Sequence, residues 1–123
     1  MVDERKQLGL TGEALAEIHL KQAGYRILER NYRTKLGEID IIAKDHDTIV
    51  FIEVKTRRSE NYGSPKWAVT PKKQRKISMV ALLYLKSTRQ SRARARFDVV
   101  SIGPLDTNAR IEIIKNAFEL AYP

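Results

Sequence analysis

GEIDIIAKDHDTIVFIEVKTR, residues 37–57, is the stretch on which the fold turns. Two runs of alternating or β-branched apolar residues, Gly37–Ala43 and Thr48–Arg57, flank the polar segment Lys44-Asp45-His46-Asp47. That is the signal of an antiparallel hairpin. Centred between His46 and Asp47, the hairpin sets Asp40 directly opposite Glu53, with Cβ atoms about 4.5–5.5 Å apart. Like charges in that position destabilise a sheet, and a divalent cation between them would remove the repulsion. Lys55, two residues beyond Glu53, shares its face because strand side chains alternate. Two carboxylates and a lysine converging on one point are the parts of metal-assisted hydrolysis. The same charges on the solvent face of an ordinary hairpin would carry no chemistry. The second strand argues against that reading, because Ile49, Val50, Phe51, Ile52 and Val54 resemble a strand buried on both faces. Charges in such a strand are costly and tend to mark sites. A one-residue slip in register would send Glu53 to the other face.

The chain has 123 residues, 42% of them apolar, enough for one domain with a single layered core. It contains no cysteine, which excludes disulfides, thiolate-bound zinc and a cysteine nucleophile. No stretch is apolar enough to cross a bilayer, and the opening MVDERKQLGLTGEALAE lacks the apolar segment of a secretory signal. Cytoplasmic residence is the expectation. Lys and Arg number 23 against 15 acids, a net charge of +8, which points to a polyanionic partner, nucleic acid before any membrane surface.

Outward from the hairpin, Thr11–Ala23 reads as a helix capped by Thr11, striped by Ala14, Leu15, Ile18 and Ala23, and stopped by Gly24. Tyr25–Arg33 reads as a first strand. The polar run RRSENYGSPKWAV, with Gly63 and Pro65, reads as a loop beside the site. Thr70-Pro71 opens a second helix through Ile77, Val80, Ala81, Tyr84 and Leu85. Ser87–Ala95 is a basic connector, Phe97–Ile102 a fourth strand, Arg110–Ile114 a fifth, and NAFELAYP a closing turn packed by Phe118. The order α-β-β-β-α-β-β predicts an α/β fold with a five-stranded mixed sheet, the second helix crossing between parallel strands three and four.

T-G-E-A-L-A-E from Thr11, A-G-Y at Ala23, R-N-Y-R at Arg30, G-E-I-D at Gly37, F-I-E-V-K-T-R at Phe51, R-F-D-V-V at Arg96 and N-A-F at Asn116 span most of the chain. Together they resemble the YraN-type bacterial family of predicted endonucleases. That family lies within the PD-(D/E)xK superfamily and is related to archaeal Holliday junction resolvases. The resemblance implies a restriction endonuclease-like core, a single nuclease-like domain over residues 1–123, and metal-dependent hydrolysis of DNA, with branched or structured DNA as a candidate substrate. It makes Asp40 and Glu53 metal ligands and Lys55 their lysine, although Ile39 stands where the superfamily often has proline. It adds a helix-borne acid, Glu13, with Glu17 one turn later as the competitor. The cofactor implied is Mg²⁺ or Mn²⁺, which keeps several waters and takes one or two carboxylates; the Val54 carbonyl would complete the set. A homodimer is expected on the same grounds.

Around this site Arg57, Arg58, Lys72, Lys73, Arg75 and Lys76 are expected to grip phosphates, a solvated helix face being the alternative. Gln74 is a lesser candidate for the site. Arg92, Arg94 and Arg96 alternate like a strand or arm tracking a nucleic-acid backbone, a flexible basic loop being the alternative. Tyr62 and Trp67 are candidates for stacking on bases, with a core position as the other reading of Trp67. Asp98 either supports the site or pairs with Arg96. A non-catalytic nucleic-acid-binding module of the same fold and a small basic RNA-binding protein are the rival readings.

Overall fold

Thr11 and Thr70 begin the two helices as the sequence predicts. The Thr11 hydroxyl accepts from the Ala14 N–H at 3.1 Å, and the Thr70 hydroxyl from the Lys73 N–H at 3.2 Å. The structure, a computed structural model, describes residues 11–57, 69–103 and 110–121. Its elements are α1 (Gly12–Gln22), β1 (Arg26–Thr34), β2 (Gly37–Asp45), β3 (Thr48–Thr56), α2 (Pro71–Ser87), β4 (Ala95–Ile102) and β5 (Ile111–Phe118). The five strands form one sheet in sequence order, antiparallel except for the parallel pair β3–β4. It is an α/β fold, α-β-β-β-α-β-β, with the mixed sheet and the connection through α2 that the sequence predicts.

Strand alternation divides the core. Ile49 and Phe51 of β3 join Ile77, Val80, Ala81 and Tyr84 of α2, whereas Val50 and Ile52 join Leu15, Ala16 and Leu20 of α1. The helices therefore cover opposite faces, and β3 is buried continuously from Ile49 to Glu53. Each fully buried Leu, Ile or Phe contributes about 1.5–3 kcal/mol by removing apolar surface from water. Phe51, edge-on to Tyr84 and beside Phe97, is the largest of them.

The hairpin register is the expected one, from Asp45 opposite Thr48 to Ile41 opposite Ile52. The turn is shorter than predicted. Lys44 and Asp45 belong to β2, and the chain reverses at His46, whose φ of 55° is left-handed. The end of the chain is a larger correction. β5 does not stop at Ile114 but runs to Phe118. Asn116, with φ 53°, accompanies a register shift opposite Phe97–Val99. Beyond that bulge Phe118 stacks on Phe97 with ring centroids 4.8 Å apart, so the apolar face extends past the point where the pattern looked broken.

Candidate active site

Glu53 lies on the α2 face, near the C-terminal end of β3 and one step beyond the last ladder pair, Ile41–Ile52. Continued by that step, the register brings Asp40 opposite Glu53. Asp40 reaches across the hairpin, and its Oδ2 accepts the Val54 N–H at 2.8 Å. The alternation of β2 breaks here. Ile39 and Ile42 both face α2, while Ile41 and Ala43 face α1. On the β1 side the residue opposite Asp40, Asn31, is held at a left-handed φ of 49°. Asp40 there meets Glu53 of β3 and Glu13 of α1.

Glu53 is 6% exposed. Burial, and after it the facing Asp40 carboxylate, push its carboxyl up to about 7. Lys73, from the first turn of α2, makes an ion pair with Glu53 Oε1 and opposes that rise. The Lys73 ammonium is itself raised. Burial works against its charge, but Glu53, with Asp40 and Glu38 behind it, outweighs burial. Both partners thus move upward, a favourable pair from the lysine's side and an unfavourable one from the glutamate's. The glutamate governs the balance, because its side chain is 7% exposed and that of Lys73 48%. Placing Lys73 only among the phosphate-gripping residues missed this contact. A signal was available: Lys73 stands four residues before Ile77, at the head of the apolar stripe that faces the sheet.

The first turn of α1 brings Glu13 to Asp40. Partial burial, then the carboxylates of Asp40 and Glu38, raise the Glu13 carboxyl. Gly12 makes the approach feasible, since a Cβ there would lie 2.4 Å from Thr56 Oγ1 at the end of β3. Glu17 turns elsewhere, to Arg30 (Nε to Oε2, 2.8 Å) and Lys21, and these partners hold its carboxyl down at about 2. Of the two competing acids, the structure brings Glu13 to the cluster and Glu17 away from it. Glu38 sits at its rim, 3.3 Å from Arg33.

Lys55 is exposed and pairs across the parallel ladder with Ser101; the lysine in contact with Glu53 is Lys73. The Arg57 N–H donates to the Ile102 carbonyl at 2.7 Å, and its buried Nε has no hydrogen-bond partner among the described residues. Lys72, Arg75 and Lys76 are exposed on α2. Gln74 caps locally, its amide donating to the Val69 carbonyl at 2.9 Å. Arg58, Tyr62 and Trp67 lie outside the described residues. The expected basic arm is divided: Arg92 and Arg94 precede β4, whereas Arg96 lies within β4 and folds inward onto Asp98 (3.0 Å) and Asp45 (2.7 Å). Asp98 is fully buried, and of its two readings the pairing with Arg96 is the one realised.

Among the described residues no three Asp, Glu or His side chains stand together as a ready metal cage. The donor set suits a different kind of ion. Asp40 and Glu53 form a facing carboxylate pair, with the Val54 N–H against Asp40 and the Lys73 ammonium against Glu53. One or two carboxylates with water in the remaining positions is what Mg²⁺ takes, and Mn²⁺ shares its preference for oxygen.

Residues 12–102 match a family described as "Uncharacterised protein family UPF0102". The chain belongs to the UPF0102 family. This is the YraN-type family that the sequence motifs resemble. The UPF0102 protein of Syntrophus aciditrophicus is 57% identical over 114 residues, covering 93% of this chain and 90% of the relative. That of Desulfosudis oleivorans is 56% identical over 119 residues, covering 97% and 95%. A third, from Geobacter metallireducens, is 56% identical over 117 residues, covering 95% and 96%. The UPF0102 match begins at Gly12 and ends at Ile102, so it contains Glu13, Asp40, Glu53, Lys55 and Lys73.

Proposed function

We propose that this UPF0102 protein is a metal-dependent endonuclease that hydrolyses phosphodiester bonds in DNA, with branched or structured DNA as the candidate substrate. The observation that carries the reading is the facing pair Asp40–Glu53. Burial of Glu53, and after it the facing Asp40 carboxylate, raise the Glu53 carboxyl to about 7, and the pair lies beside the first turn of a basic helix bearing Lys72, Lys73, Arg75 and Lys76. The five-stranded mixed sheet with α1 and α2 on opposite faces supports the restriction endonuclease-like relationship.

Asp40 and Glu53, with the Val54 carbonyl, would hold Mg²⁺ or Mn²⁺. When bound, the ion supplies charge stabilisation at the phosphoryl oxygens and a more acidic water. The Val54 N–H donates to Asp40 Oδ2 and fixes the carboxylate against the end of β3. Glu13 adds negative charge behind Asp40 and raises the site's demand for a cation. Lys55, exposed at the end of β3, would orient the attacking water, and its positive charge would offset the negative charge that builds on the phosphate oxygens as the bond to the leaving oxygen breaks. Lys72, Arg75 and Lys76, with Arg57 and Arg58, bind phosphates on either side of the cut, each replacing condensed counterions. Cytoplasmic action on DNA belongs to the same proposal; no described helix is long and apolar enough to cross a membrane. Two symmetric cuts in a four-way junction would call for a homodimer.

A second reading, a non-catalytic nucleic-acid-binding module, draws on the Lys73–Glu53 contact, which supplies Glu53 with a countercharge from within the chain. Cleavage of labelled linear, flapped and four-way-junction DNA by wild type and Lys55→Ala, in Mg²⁺ and Mn²⁺, separates the two. Cutting that requires both metal and Lys55 supports the nuclease. Tight binding without cutting in either metal favours the module.

A further inference from the structure

The Lys73 ammonium stands where a cation would serve Glu53. Glu53 is buried in β3, Asp40 faces it, and the only described cation in contact with its carboxylate is Lys73. A buried carboxylate left without a countercharge is strongly destabilising, so the pair accounts for how this acid is tolerated in a core strand. An ammonium on Glu53 opposes a divalent ion on the same carboxylate, because positive charges a few ångströms apart repel. The Lys73 backbone is fixed, its N–H donating to the Thr70 hydroxyl at 3.2 Å. Its side chain is not, being 48% exposed on a flexible stem.

We propose that Lys73 is a resident countercation that competes with the divalent ion for Glu53 and must swing off the carboxylate before the ion can bind. The inference rests on the metal-binding reading of Asp40–Glu53 and adds its regulation. Metal entry exchanges one positive charge at Glu53 for two, and releases an ammonium at the rim of the site, among the lysines that face the nucleic acid.

Mn²⁺ affinity tests this without any cleavage. Calorimetric titrations would compare wild type, Lys73→Met, Lys72→Met and Asp40→Asn, with thermal melts to confirm that each is folded and Lys73→Gln as a second variant. Lys72→Met removes the same charge from the same helix turn without removing a Glu53 contact. The expected result is Mn²⁺ binding about tenfold tighter in Lys73→Met, with Lys72→Met within about threefold of wild type. Equal tightening in both would show a general field effect and overturn the proposal. Unchanged or weaker binding in Lys73→Met would overturn it too. The metal site itself would still stand if wild type bound Mn²⁺ and Asp40→Asn did not. No binding by wild type and Lys73→Met alike would overturn the competition and the metal reading together.

Discussion

The Tyr25 hydroxyl donates to Asp98 Oδ2 at 2.8 Å, joining the segment after α1 to the middle of β4. Arg96 completes the knot, with Nε 3.0 Å from Asp98 Oδ1 and Nη2 2.9 Å from the Tyr25 hydroxyl, and the Asn116 N–H adds another donor at 3.0 Å. Every lone charge in this cluster has a partner, as a buried polar network requires. Burial, and then Asp98, keep the Tyr25 hydroxyl protonated. Tyr25→Phe should therefore cost about 1.5–3 kcal/mol, the worth of a hydrogen bond to a charged acceptor. Asp98→Ala should cost about 3–5 kcal/mol by leaving Arg96 partly buried without its main partner. Urea denaturation measures both. A Tyr25→Phe loss within about 0.5 kcal/mol of zero would place the network outside the stability of the fold.

Divalent ions should stabilise the wild-type fold by relieving the Asp40–Glu53 repulsion. At a concentration 100-fold above the dissociation constant the gain is about 2.7 kcal/mol, seen as a higher Tm in Mg²⁺ or Mn²⁺ than in EDTA. Asp40→Asn should lose most of that rise. An equal rise in both proteins would move the ion to some other place.

The raised Glu53 carboxyl gives a pH dependence of definite sign. Between its ordinary value of 4.5 and about 7, the folded protein keeps a proton that the unfolded chain has released. Stability therefore falls as pH rises through that window, by about 1.4 kcal/mol per unit at most and about 3 kcal/mol in total. Glu13 is raised too and acts in the same direction. Glu17 and Asp45 are lowered by Arg30 and Arg96, so their contributions are present above their ordinary values and are lost only as pH falls below them. Metal-free denaturation at pH 5 and pH 7.5 should show the higher stability at pH 5, and Glu53→Gln should flatten most of the difference. A wild type more stable at pH 7.5 than at pH 5 would refute the shift.

Gly12 predicts a steric coupling. Gly12→Ala would set a methyl 2.4 Å from Thr56 Oγ1. Such crowding costs about 1–3 kcal/mol, against at most about 1 kcal/mol gained in helix propensity. Gly12→Ala should lower stability, and adding Thr56→Ala, which removes the obstructing oxygen, should restore it. Additive losses in the double variant would deny the contact.

Local chemistry and periodicity determined much of this protein from sequence alone. Thr11 and Thr70-Pro71 marked the helix starts, and the apolar stripe of α2 its buried face. The symmetry of the apolar runs about His46-Asp47 fixed a register that sets Asp40 against Glu53. These readings succeed because caps, turns and alternation depend on residues a few positions apart. Tertiary packing decided the rest. The break in alternation at Asp40, the continuation of β5 past Asn116 and the inward turn of Arg96 all depend on what the neighbouring strand offers. Arg30 of β1 draws Glu17 away from Asp40 and leaves Glu13 beside it, which the helix alone does not reveal. Which lysine meets Glu53 was settled by the seating of α2 on the sheet. Lys55 shares the strand with Glu53, yet the burial of Ile77 and Val80 delivers Lys73, because a buried carboxylate takes the cation that core packing places nearest to it.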